Sequence, residues 1–173
     1  TYDKGKFYEL GEINVTGVKS FSPQTVVAYT GLKKGQRIQI PGEEISTTIN
    51  KLWKLELFSD IEFFITNING DVADLELYIQ ELPTLSDYTI KGLKKGKVET
   101  IVKDTDIKKG KKLSKNFLST TKNYIINKYK KEGFLNTKVT IDTKADTTDV
   151  NSQKMLVSID KDERVKVRSI SFE

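Results

Sequence analysis

The chain has 173 residues and a formal net charge of +5, from 29 Lys and Arg against 24 Asp and Glu. Apolar residues make up 36% and charged residues 31%, a composition that folds rather than stays disordered. With no Cys and no His, disulfides, thiolate and imidazole catalysis and the usual transition-metal ligands are excluded, leaving only carboxylate metal sites open.

Along the chain, Tyr8, Leu10, Ile13 and Val15 alternate roughly and run into Gly17, a strand entering a turn. Ser22-Pro23 places an N-cap residue before Pro at the first helical position, and Val26, Val27 and Tyr29 follow. Gly31 and Gly35 bracket a loop. Pro41-Gly-Glu-Glu44 opens a second helix with acids in its first turn, and Ile45, Ile49, Leu52 and Trp53 share one face. Ile61, Phe63 and Ile65 then alternate with Glu62, Phe64 and Thr66. Asn69-Gly70-Asp71 is a hairpin turn, and Leu75, Leu77 and Ile79 form the return strand.

The same order comes again. Tyr88 and Ile90 lead to Gly92, and Val98, Ile101 and Val102 mark a short helix. Ser114 caps a longer helix carrying Phe117, Leu118, Thr121, Ile125 and Tyr129, with Gly133 as its stop. Val139 and Ile141 alternate, a polar loop spans about 144–153, and Met155, Val157 and Ile159 alternate again. An offset of 75 aligns the two copies: Gly17, Lys19, Thr25, Val27, Thr30, Lys33, Lys34 and Gly35 each meet an identical residue. The more conspicuous pair of Gly-Leu-Lys-Lys-Gly segments, 61 residues apart, is a decoy because the match does not extend on either side. Residues 1–82 and 83–163 are therefore expected to be two repeats, joined at Glu81-Leu-Pro-Thr84. Residues 164–173 read as the start of the first strand of a third repeat, so the natural protein is expected to continue past Glu173.

Units of about 75 residues in the order β-α-α-β-β resemble the POTRA family, and in particular the domains of BamA-like outer-membrane protein assembly factors. Three segments carry the resemblance: Gly17 to Leu32-Lys-Lys-Gly35, Leu52-Trp53-x-Leu55-x-Leu57-Phe58-Ser59-Asp60-Ile61, and Tyr129-x-x-x-Gly133-Phe134-x-x-x-x-Val139. The family usually has a small residue between the last two of these positions, where this chain has Thr137. The resemblance implies an α+β fold in which each unit is a three-stranded mixed sheet with two helices on one face. It also implies a periplasmic segment of an outer-membrane protein, neither catalytic nor cofactor-dependent. Such a segment receives unfolded β-barrel precursors and docks the accessory lipoproteins of the assembly complex. Two-partner secretion and translocation-assembly transporters, which carry the same domains, are the alternative within the family.

A three-stranded sheet leaves edges whose unpaired N–H and C=O groups can accept an incoming strand. The candidate edges are Ile61, Glu62, Phe63, Phe64, Ile65 and Thr66 in the first repeat and Lys138, Val139, Thr140, Ile141 and Asp142 in the second. With Ile61, Phe63 and Ile65 inward, Phe64 faces out; pairing centred on Gly70 sets it opposite Glu76 and diagonal to Tyr78, as a partner anchor or a plain surface aromatic.

Charge is divided unequally. Residues 1–82 hold 8 basic and 12 acidic residues, whereas residues 83–173 hold 21 and 12. Lys108, Lys109, Lys111, Lys112 and Lys115 cluster between the two helices of the second repeat, which suits an anionic membrane surface or simply a solvated face. A nucleic-acid binder is disfavoured, because only Arg37, Arg164 and Arg168 are arginines and no recognition motif appears. An enzyme is disfavoured too. Gly92-Leu-Lys-Lys-Gly96-Lys97 is one residue short of a phosphate loop and is followed by Val98. No small-molecule substrate is expected.

Overall fold

The computed structural model describes residues 5–163. The chain divides into two compact units, Thr1–Leu82 and Pro83–Glu173. The expected start of a third repeat at 164–173 lies outside the described residues.

The first unit runs β1 (Lys6–Thr16), α1 (Pro23–Thr30), β2 (Arg37–Ile40), α2 (Glu43–Trp53), β3 (Phe58–Asn69) and β4 (Val72–Glu81). Its sheet has the order β2-β1-β4-β3, with β1 parallel to β4 and the other pairs antiparallel. The second unit runs β5 (Thr84–Lys91), α3 (Lys95–Thr105), α4 (Lys115–Lys131), β6 (Lys138–Asp146) and β7 (Ser152–Asp160), with the sheet order β5-β7-β6. Both units are the mixed α+β arrangement expected. The first differs by its fourth strand. Arg37–Ile40 pairs with Lys6–Glu9 because β1 begins well before the core and offers a partner. In the second unit β5 begins at Thr84, directly after Pro83, and the equivalent segment keeps a single bridge, Thr84 to Lys112.

Local signals place the helices. Ser22 Oγ accepts from the Thr25 N–H at 3.2 Å at the start of α1, and Ser114 Oγ accepts from the Phe117 N–H at 3.0 Å at the start of α4. In β1 the alternation is rough because the strand bulges between Leu10 and Ile13, which keeps both on the inner face. Gly11, at the bulge, lies so close to Asp74 that a Cβ there would come within 2.0 Å of its carboxylate oxygen. The core of the first unit joins Val26 and Leu52 of the helices to Ile61, Leu75, Leu77 and Ile79 of the sheet. That of the second joins Ile101, Ile125 and Tyr129 to Leu85, Val139, Met155, Val157 and Ile159. Each fully buried Leu or Ile side chain contributes about 1.5–3 kcal/mol through burial.

The Tyr-x-x-x-Gly-Phe segment is an internal brace. The Tyr129 and Phe134 rings meet edge to face at 6.3 Å, and Lys161 Nζ sits 5.2 Å and 4.8 Å from the two centroids. Tyr129 is buried, and its hydroxyl has no hydrogen-bond partner among the described residues. A buried unpaired hydroxyl is destabilising, so Tyr129→Phe is expected to raise stability by about 1 kcal/mol in urea unfolding. A loss of that size would show that the hydroxyl is paired.

Candidate edge-strand site

The hairpin turn after Asn69 launches β3 and β4 as an antiparallel pair, and β3 pairs with no strand on its other side among the described residues. Strand β3 is twelve residues long and holds all of Ile61–Thr66. Its inward row loses burial toward the turn: Ile61 is 6% exposed, Phe63 is half-buried and Ile65 is 41% exposed. Ile65 is on the inward row, opposite Leu75, but is not buried in the core as an inward position would suggest. The hairpin carries it past the part of the sheet that the core of the first unit fills, and it emerges beside the first turn of α2. There Ile40, Pro41, Ile45, Phe63, Phe64 and Ile65 are among the residues lining a groove of about 240 Å³.

Phe64 is 48% exposed and lies opposite Glu76. A register shift between Ile65 and Asn67 then sets Ile68 opposite Ala73, on the same face as Ile65, and Ile68 is 49% exposed. The edge thus presents apolar side chains on both faces. Ile68 was not singled out from the sequence, because strict alternation from Phe64 puts it on the outer face and gives no sign of the bulge.

Strand β6 is the edge of the second sheet and pairs in unbroken register with β7, from Lys138 opposite Asp160 to Asp146 opposite Ser152. Val139 is buried and Ile141 half-buried, while Lys138, Thr140 and Asp142 are exposed. The two edges have different chemistry, one apolar and one polar.

The lysine cluster is less free than its sequence implies. Asp106 takes Lys108 at 3.4 Å and Lys111 at 3.2 Å, and these hydrogen bonds, Lys111 first, hold its carboxyl below the usual value. Lys111 also lies 5.0 Å from the Phe117 ring, and Lys112 donates to Thr84 Oγ1 at 2.8 Å. Lys109 is exposed in the loop, and Lys115 is the first residue of α4 rather than part of the loop. No group of three carboxylates suited to a metal ion occurs among the described residues, and no helix there is long and apolar enough to cross a membrane.

Comparison with known proteins agrees with this architecture. The POTRA family model, described as a surface antigen variable number repeat, matches residues 83–163. The outer membrane protein assembly factor BamA of Nitratidesulfovibrio vulgaris is 23% identical over 164 residues, covering 95% of this chain and 20% of that protein. The N-terminal domain of Omp85 from Thermosynechococcus elongatus has a TM-score of 0.51 at 15% identity, over 95% of this chain and 73% of that one. POTRA1-2 of the periplasmic domain of Omp85 from Anabaena has a TM-score of 0.48 at 14% identity, over 95% of this chain and 99% of that one. The second unit matches the POTRA family over its described length, and the first repeats its order of elements with one strand added, in the fold of the Omp85 N-terminal domain. It spans about one fifth of the length of the curated relative it matches.

Proposed function

We propose that this chain is the periplasmic segment ahead of an outer-membrane β-barrel, where it receives unfolded barrel precursors by strand addition and offers docking edges to accessory lipoproteins. The observation that carries the reading is the open side of β3, a twelve-residue strand at the edge of its sheet. Its free N–H and C=O groups pair with any extended backbone, which suits a receptor for many sequences. The groove beside Phe63 and Ile65 adds a preference for apolar side chains at alternate positions of the guest, as barrel strands have on their lipid-facing side. Strand β6 is the second, polar edge.

The test is an amide NMR titration with a peptide from the last strand of an outer-membrane barrel. Shifts along Ile61–Thr66 or Lys138–Asp142 are the expected result; shifts confined to the helices would refute strand addition. Phe64 is half exposed. Phe64→Ala is therefore expected to leave the unfolding midpoint within about 0.5 kcal/mol of the parent. The same variant should weaken peptide binding several-fold, because an anchoring aromatic is lost. A Phe64→Ala chain that unfolds would overturn its assignment as an outward anchor.

A further inference from the structure

The positive charge of the second unit is confined to one layer. From Lys94, which precedes α3, to Glu132, which follows α4, there are 13 Lys and 4 acids, a net of +9. Strands β5, β6 and β7 carry 4 Lys and 4 Asp, a net of zero. Both helices lie on the face of the sheet that presents Met155, Val157 and Ile159, so the charged layer covers one side of the unit and the neutral sheet the other. Ten of the 13 lysines are exposed. Of these lysines, Lys108 and Lys111 form ion pairs, both with Asp106. Of the four acids, Asp106 is taken by those lysines and Asp104 accepts the Tyr124 hydroxyl at 2.6 Å. Glu99 and Glu132 are the other two acids of this segment, against ten exposed lysines.

We infer that the α3–α4 layer docks on a bilayer surface of anionic phospholipid headgroups. The 17-residue α4 is about 25 Å long, so the charge is spread across a face rather than gathered in a cleft. A spread of this kind matches a plane of separate phosphodiesters, and each lysine near such a surface adds to the attraction. Lysine is a compact charge that meets phosphates one at a time. Nucleic acid fits less well. The described residues of the second unit contain no arginine, and the exposed ring of the layer, Tyr124, is tied to Asp104, which leaves no platform for stacked bases. The inference is independent of strand addition, because neither β3 nor β6 belongs to this face.

The test is co-sedimentation of the whole chain with vesicles of pure phosphatidylcholine or of phosphatidylcholine with about 30% phosphatidylglycerol, a fraction at which surface charge governs binding. Binding is expected only to the anionic vesicles, and to fall at least tenfold between about 50 and 300 mM salt as the Debye length shrinks. Lys103→Glu, Lys130→Glu and Lys131→Glu together should lower it at least tenfold with an unchanged circular dichroism spectrum. If that triple variant does not fold, the same three changes to Gln should still weaken binding. Lys91→Glu, Lys144→Glu and Lys154→Glu, an equal charge change on the sheet side, should leave binding within about twofold of the parent. Equal losses in both triple variants would reduce the effect to net charge and overturn the docking face. Binding to uncharged vesicles, or tighter binding to a DNA duplex than to anionic vesicles, would also overturn it.

Discussion

Replacing Gly92 by alanine is expected to lower the stability of the second unit by about 3 kcal/mol, the cost of a strained backbone together with a steric clash. Gly92 closes β5 with φ at +97°, and a Cβ built there would stand 1.8 Å from the carbonyl oxygen of Ile159. That oxygen belongs to β7, the central strand, and moving it disturbs pairings on both sides. Gly17 has the same place in the first unit, with φ at +85° and the Ile79 carbonyl oxygen 2.0 Å from its Cβ position. Two repeats thus use glycine for one reason: the chain turns off the first strand against the backbone of the last. Gly96, inside α3, is the control. A Cβ there meets nothing within 4 Å, so Gly96→Ala is expected to stabilise by about 0.5–1 kcal/mol. Urea unfolding followed through the amide signals of Tyr129 and Val157 reads both effects. A Gly92→Ala loss below about 1 kcal/mol would mean that β7 yields and the close approach is not a constraint.

The Gly17–Gly92 match shows what a single sequence carries well. Periodicity, caps and turns are local, and they located the strands and helices of both repeats. The pairing of Phe64 with Glu76 was also legible from a centre at Gly70, though for a reason that was not. The turn itself pairs Asn69 with Val72, and the shift near Thr66 brings the remainder of the strand into the simpler register. Features made by distant segments were hidden. Strand β2 exists because β1 reaches back to Lys6. Ile65 is exposed because the hairpin outruns the core beneath it, which alternation cannot reveal. Lys108 and Lys111 look like free charges until Asp106 turns back between them in a left-handed conformation, φ +58°. Glu81 read as the first residue of a linker, whereas it ends β4 and is buried.

That last residue should matter most to the first unit after its glycine turn. Glu81 is 3% exposed and bears a carboxylate that closes the loop between β1 and α1. It accepts from the Lys19 N–H, from the Ser20 hydroxyl and from the Ser20 N–H at 2.9 Å. Burial opposes its ionisation, but the donors of Ser20, Lys19 and Phe21 outweigh it and hold the carboxyl below the usual value. In the second unit Asp160, the last residue of β7, is exposed and accepts from the Asp162 N–H at 3.0 Å. Glu81→Ala leaves the partly buried amide donors of Lys19 and Ser20 without this acceptor, and is expected to cost about 2 kcal/mol. Glu81→Gln keeps the shape and one good acceptor and should cost about half as much. The pH dependence follows from the lowered pKa. The unfolded chain holds the Glu81 proton more tightly than the folded one, so the stabilisation is complete above the ordinary glutamate range and fades as pH falls through the lower folded value. Urea unfolding between about pH 3 and 7, read at amide signals of the first unit, should show the parent losing its advantage over Glu81→Gln as the carboxylate protonates. Parallel curves for the two proteins would show that the loop is held by its backbone alone and that the carboxylate contributes nothing to it.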